Sequence, residues 1–163
     1  MLPIRTILHP TDFSGPSAAA LAVAVSLARD HGARLILLHV MGQPAILDGT
    51  GLVPFDPAMY RDELRDKLDQ VALRAPGIRV EKRLEQGHAA NEVLRIAAET
   101  GCDVIVMGTH GWSGLRRLLM GSVAADVVQR ATCPVLTVRE ALPREPPTAE
   151  PARAAGGASV EKP

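Results

Sequence analysis

The sequence predicts a parallel α/β fold, and three observations carry that reading. Short apolar segments recur at Ile4 to Leu8, Leu35 to Val40, Ile78 to Leu84, Val104 to Met107 and Val135 to Val138, with helix-like stretches between them. The second and fourth are unbroken apolar runs, as expected of strands that helices cover on both faces. Helix stop signals fall inside the intervals, with Gly32, Gly101 and Pro134 each closing a periodic stretch.

Each element has its own justification. Pro16 to Asp30 is Ala-rich, with Pro early in the helix and Gly32 after its end. Met59 to Arg74 places Leu64, Leu68, Val71 and Ala72 on one helical face. Ala90, Val93, Leu94 and Ala97 do the same before Gly101, as do Ala124, Val127, Val128 and Ala131 before Pro134. The third apolar segment, IRVEKRL, alternates with charge and is the candidate edge strand, where Lys and Arg discourage unwanted pairing. Residues 42–58 hold too many Gly and Pro for a regular element; such a loop is often functional or mobile, and a plain surface insertion accounts for it equally well. From Ala141 onward Pro, Ala, Gly and charge dominate, too little apolar surface to offset the entropy of ordering. One domain over 1–140 with a disordered tail over 141–163 is expected.

Composition narrows the function. The 163 residues carry 18 Lys+Arg against 18 Asp+Glu and only four aromatics, Phe13, Phe55, Tyr60 and Trp112, which argues against nucleic acid or an anionic membrane as partner. Cys102 and Cys133 are far apart, without C-x-x-C or framework spacing, and read as small buried residues near strand starts in a reducing compartment. With no leader pattern and no long apolar run, a soluble cytoplasmic protein is expected.

In an open parallel sheet, ligands sit beyond the carboxyl ends of the strands, where neighbouring connections diverge. That directs attention to Pro10-Thr11-Asp12, to Val40, and to the loop MGTHGWSGLRRLLMGSV from Met107 to Val123. Gly108 and Gly111 allow close backbone approach or positive φ, Gly121-Ser122 precede a helix whose free N–H groups attract phosphate, and Arg116 and Arg117 add charge. This suits a di- or triphosphate, although a flexible connection is the plainer reading of the glycines. Neither the P-loop nor G-x-G-x-x-G is present. Asp12 is either a ligand contact or the cap or Asx-turn residue of the first helix. His9, His39 and His110 lie near strand ends without metal-ligand spacing, and G-x-S-x-G is lacking, so neither a dedicated metal site nor a catalytic residue is assigned.

Gly108-Thr109-His110-Gly111, nine residues, then Gly121-Ser122 resembles the G-x2-G-x9-G-[ST] nucleotide signature of the universal stress protein family, in its ATP-binding, UspA-like subgroup. ILHPTDFS at 7–14, LLHV at 37–40, DVIVMGTHG at 103–111 and CPVLTV at 133–138 resemble its other landmarks. The resemblance, from Ile4 to Val138, implies a five-stranded parallel sheet of order 3-2-1-4-5 with helices on both faces, Rossmann-like and of the adenine nucleotide alpha hydrolase type. It also implies a homodimer paired through Val135–Val138. Carried over by position, Asp12 faces the ribose and nearby phosphate, Pro10 and Val40 border the adenine, and Met107 closes the strand end. Gly108, Gly111, Gly121, Ser122 and Val123 hold the phosphates, with Thr11, Thr109, His110 and Ala124 completing the contacts. Trp112 departs from the basic or small polar residue that many relatives carry there. The expected protein is a cytoplasmic, dimeric, nucleotide-responsive stress module binding ATP, with Mg²⁺ or Mn²⁺ carried on the phosphates and slow hydrolysis at most. Its rivals are a scaffold that binds an unidentified protein partner without nucleotide, and a genuine ATPase or nucleotidyl-transfer enzyme.

Overall fold

The computed structural model describes residues 3–42, 57–109 and 120–139. In chain order these form β1 (Thr6–Pro10), α1 (Gly15–His31), β2 (Arg34–Met41), α2 (Pro57–Ala72), β3 (Val80–Gln86), α3 (Ala89–Thr100), β4 (Val104–Gly108), α4 (Ser122–Arg130) and β5 (Val135–Val138). The strands make one five-stranded sheet of order β3-β2-β1-β4-β5, parallel throughout, as the resemblance implied.

Alternation along the strands divides the core. Ile7 sits opposite Leu35 and Val104, and Leu8 opposite Ile36 and Ile105. Ile7, Leu35, Leu37, Val104 and Val106 pack with Ala20, Leu21 and Ala24 of α1 and Leu68 of α2. Leu8, Ile36, Leu38, Ile105 and Met107 pack on the other face with Val93 and Ile96 of α3 and Ala124 and Val127 of α4. This is why β2 and β4 read as unbroken apolar runs: both faces are covered, and each buried Leu or Ile stabilises the fold by about 1.5–3 kcal/mol.

The helix ends follow from short polar and glycine signals. Ser14, in extended backbone, caps α1 by accepting the Ser17 N–H at 3.3 Å. Gly32 (φ 62°) closes the helix by donating its N–H to the carbonyls of Ala28 and Arg29. β3 is an edge strand, and its charges are engaged: Lys82 pairs with Asp69, and Arg83 with Glu81 and Glu99.

Several boundaries differ from expectation. β1 begins at Thr6 rather than Ile4, which packs against the core ahead of the ladder. β3 begins at Val80 because Gly77 (φ 76°) turns the chain there, and Ile78 reaches the core from that turn. α2 starts at Pro57, inside the stretch read as loop, whose residues 43–56 lie outside the described residues. In α3 Ile96 is fully buried while Leu94 is half-buried. In α4 only Ala124 and Val127 are buried, and Val128 is 44% exposed. β5 is the last strand of the sheet, and no described element covers that flank of the helix. The expected tail, 141–163, lies outside the described residues. Among the described residues no helix is long and apolar enough to cross a membrane.

Candidate functional site

β1 and β4 are neighbours, yet the chain leaves β1 for α1 on one face and leaves β4 toward α4 on the other. Their carboxyl ends therefore splay apart and leave a cleft at the switch point. It has a volume of about 270 Å³ and is lined by Pro10, Thr11, Asp12, Val40, Met107, Gly108, Thr109, Gly121, Ser122, Val123 and Ala124. Residues up to 114 positions apart in sequence, chosen on motif alone, thus share one concavity. His110 and Gly111 of the same reading, with Trp112, Arg116 and Arg117, lie outside the described residues.

One wall is the β1–α1 turn, which is tied down at both ends. The Thr11 N–H donates to the Leu38 carbonyl at 2.8 Å, and the Thr11 carbonyl accepts from His39 Nδ1 at 2.8 Å. Thr11 Oγ1 accepts the Phe13 N–H at 3.1 Å and the Ser17 hydroxyl at 2.9 Å. Asp12 Oδ1 accepts both the N–H (3.0 Å) and the hydroxyl (2.5 Å) of Ser14, the α1 cap. Phe13 is held at φ 65°, a left-handed conformation that costs a bulky residue about 1–3 kcal/mol, and its ring meets His39 at 4.5 Å between centroids. Asp12 consequently fills two roles: it forms the Asx-turn that organises the α1 cap, and its side chain borders the cleft.

The opposite wall is the start of α4. Gly121 is its N-cap, in extended backbone (φ −71°, ψ 159°), and no side chain caps the helix. The Gly121 N–H donates to the Thr109 carbonyl at 2.7 Å and is already used. The first-turn N–H groups of Ser122, Val123 and Ala124 have no acceptor within the helix, and their residues line the cleft. Ordered N–H groups at a helix start favour an anion.

Gly108 lines the cleft and also packs against α1. Its φ is not positive, and a Cβ there would meet backbone rather than the cleft: 3.0 Å from the Pro16 carbonyl carbon and 3.2 Å from Ser17 N. The close approach that needs glycine is β4 against the first turn of α1. Gly108 thereby sets how closely β4 approaches the α1 wall.

His9 and His39 are structural donors. His9, fully buried, donates Nδ1–H to the Val106 carbonyl at 2.8 Å, tying β1 to β4, while its Nε2 has no partner. Burial pushes its pKa down to about 4 against the opposing pull of the Val106 carbonyl and Asp12, so the ring is neutral with the proton on Nδ1. His39 is also lowered, by burial first, with the Thr11 carbonyl and Asp12 acting against it. A second cavity of about 620 Å³ opens between α1 and α2, sharing Thr11, Asp12, Ser17 and His39 with the cleft but reaching Tyr60, Lys67 and Arg74 instead of the α4 start. Although larger, it meets none of the spaced glycine motif.

Ser17, Leu38, Ala89 and Val93 also line the cleft and were not singled out from sequence. Ala89 opens α3 after the Gly87-His88 turn; its small side chain beside a strand end is the one signal that was available.

These features define a doubly wound α/β protein with an anion-favouring cleft at its switch point. Residues 3–139 match the model of the universal stress protein family. The chain is 36% identical over 145 residues to the universal stress protein YxiE of Bacillus subtilis, covering 82% of this chain and 97% of that one. It is 30% identical over 153 residues to the universal stress protein MJ0577 of Methanocaldococcus jannaschii, covering 83% and 94%. The solved structure of MJ0577 superposes with a TM-score of 0.68 at 28% identity, covering 85% of this chain and 97% of that one. A universal stress protein solved in complex with cAMP shares the fold at a TM-score of 0.63 and 24% identity, covering 86% and 100%. The chain belongs to the universal stress protein family.

Proposed function

We propose that this chain is an ATP-binding universal stress protein, a dimeric nucleotide-responsive module of the cytoplasm that hydrolyses ATP slowly at most. The observation that carries the reading is the juxtaposition in one cleft of Asp12 on the β1 side with the uncapped first turn of α4 at Ser122, Val123 and Ala124. An acid at one end and N–H donors at the other match the hydroxyls and phosphates of a nucleotide. Met107, Val40 and Pro10 supply the apolar border for a base. A volume of about 270 Å³ suits the nucleoside, with phosphates directed toward α4. That a relative of the same fold was solved with cAMP supports an adenine nucleotide as the ligand class.

Among the described residues no group of three or more His, Cys, Asp or Glu side chains is placed to hold a metal ion, so Mg²⁺ or Mn²⁺ would enter on the phosphates. No described lining residue is a lysine or arginine. His9 and His39 each donate Nδ1–H to a backbone carbonyl, which fixes their rings in the fold. The dimer reading is supported at β5, an edge strand that presents Leu136 at 40% exposure, and by the exposed Val128 of α4. The test is to denature the purified protein and identify what it releases: ATP or ADP in stoichiometric amount supports the reading. Release of none, with no binding on adding ATP back, supports the nucleotide-free scaffold.

A further inference from the structure

Cys102 and Cys133 are 31 positions apart, yet the fold sets their Sγ atoms 3.6 Å from each other. Both are free thiols. Each stands just before a strand, Cys102 before β4 and Cys133 before β5, and these strands pair in register from Ile105 and Val135 onward. They lie at the amino end of the sheet, opposite the cleft.

We propose that this pair is an oxidative modification site, at which a hydroperoxide converts the two thiols into an intramolecular Cys102–Cys133 disulfide. The two sulfurs differ in the way such a reaction needs. Cys102 is buried, whereas Cys133 is half-exposed and meets solvent. Burial, and then the neighbouring Cys133, push the Cys102 thiol well above the ordinary range, so it stays protonated. Cys133 is therefore the sulfur that encounters the oxidant. Its thiolate attacks the peroxide O–O bond, gaining one oxygen as sulfenic acid while the other oxygen leaves as water or alcohol. Cys102 then attacks the Cys133 sulfur: the S–S bond forms, the S–O bond breaks, and the hydroxide leaves as water with the proton of Cys102. Two thiols are oxidised by two electrons in total, and one peroxide is reduced.

The geometry is within reach. A disulfide needs its sulfurs at roughly 2.05 Å, so they must close by about 1.6 Å in total. Cys133 lies in the short connection between α4 and β5, outside both elements. The plain alternative is two thiols packed for their volume and sharing an S–H···S contact.

The full chain, reduced and freed of reductant, is treated with a small molar excess of hydrogen peroxide and its remaining thiols are tagged with maleimide. The expected product is a monomeric chain with both thiols lost, no oxygen added, and a Cys102–Cys133 linked peptide in a non-reducing digest. Dithiothreitol restores both thiols. The melting midpoint should rise by about 5–10 °C on oxidation, as a cross-link closing a loop of this length constrains the unfolded chain. Cys102→Ser should leave Cys133 as a sulfenic acid trapped by dimedone, and Cys133→Ser should leave Cys102 unmodified. Cys133 is half-exposed, and the melting midpoint of the second variant checks that it folds. Unchanged thiols in the wild type, oxidation to sulfinic acid without cross-link, or cross-links only between chains would each overturn the proposal.

Discussion

Replacing Gly108 by Ala tests the claim that this glycine sets the approach of β4 to the α1 wall of the cleft. The added Cβ would stand 3.0 Å from the Pro16 carbonyl carbon, 3.1 Å from its oxygen and 3.2 Å from Ser17 N, all backbone atoms of α1. Ordinary carbon contacts lie at about 3.5–4.0 Å, so the first turn of α1 must withdraw by roughly half an ångström. No flexible side chain is available to yield instead. Overpacking of this kind costs about 1–3 kcal/mol, corresponding to roughly 3–10 °C in melting midpoint for a domain of this size. The withdrawal would also strain the hydrogen bond between Ser17 and Thr11 and the Ser14 cap that Asp12 organises. ATP affinity should fall with stability. Urea unfolding followed by circular dichroism measures the first effect, with Gly42→Ala as control: a Cβ there meets nothing within 4 Å, and its cost should stay under about 0.5 kcal/mol. A Gly108→Ala variant as stable as wild type would refute the packing argument.

Acid should destabilise the protein before its carboxylates titrate. His9 binds its proton near 6.5 when unfolded but only at about 4 when folded, so the unfolded chain takes up more protons between those values. Its contribution to stability is complete above pH 6.5 and is lost as pH falls toward 4, by about 3 kcal/mol, with His39 adding in the same direction. Asp103, lowered by the N–H groups of Arg5 and Thr6, continues the loss below its ordinary value. Urea midpoints measured from pH 7 to 4 should decline, and His9→Asn, which keeps an N–H for the Val106 carbonyl, should flatten the slope; an equal slope would remove His9 as the cause. Ser122→Ala should weaken ATP binding by roughly tenfold to a hundredfold in calorimetry through loss of a hydrogen bond to phosphate worth about 1.5–3 kcal/mol, and unchanged affinity would place the phosphates elsewhere. The ladder bonds from Ile105 N to the Pro134 carbonyl and from Thr109 N to the Val138 carbonyl leave the polar groups of Thr137 facing outward in a parallel strand. Thr137→Pro should therefore shift a dimer toward monomer in light scattering with little loss of fold, whereas a wild type already monomeric at tens of micromolar (a concentration at which an interface of roughly 800 Å² per partner should hold) would contradict the dimer.

The parts of this fold legible in the sequence are those decided locally. The apolar runs at Leu35–Val40 and Val104–Met107 announce strands buried on both faces, and Gly32 and Gly101 mark helix ends through hydrogen bonds made within a few residues. Strand order was another matter: nothing in periodicity says that β1 lies between β2 and β4, and the order came from the resemblance. The same limit applies to Gly108, since a glycine declares that something comes close but not what. Here it is the backbone of Pro16, more than ninety positions away. Val128 satisfied the helical spacing yet stays exposed, because whether a face is covered depends on which strand is last. Asp12 posed a choice between turn former and site residue; the structure shows the turn bonds to Ser14 and places the residue at the cleft border. The meeting of Cys102 and Cys133 had no local signal at all, for it follows from the pairing of β4 with β5.

The central claim is that the cleft between Asp12 and the start of α4 binds ATP. Titration calorimetry of ATP into nucleotide-free protein, with Mg²⁺ present, tests it most directly when run beside Gly111→Val, whose branched side chain would stand in the phosphate loop of the motif. Saturable binding of one ATP per chain that the variant abolishes, while its urea midpoint stays close to wild type, is the predicted result. No heat with wild type, or equal affinity in both proteins, would contradict the account.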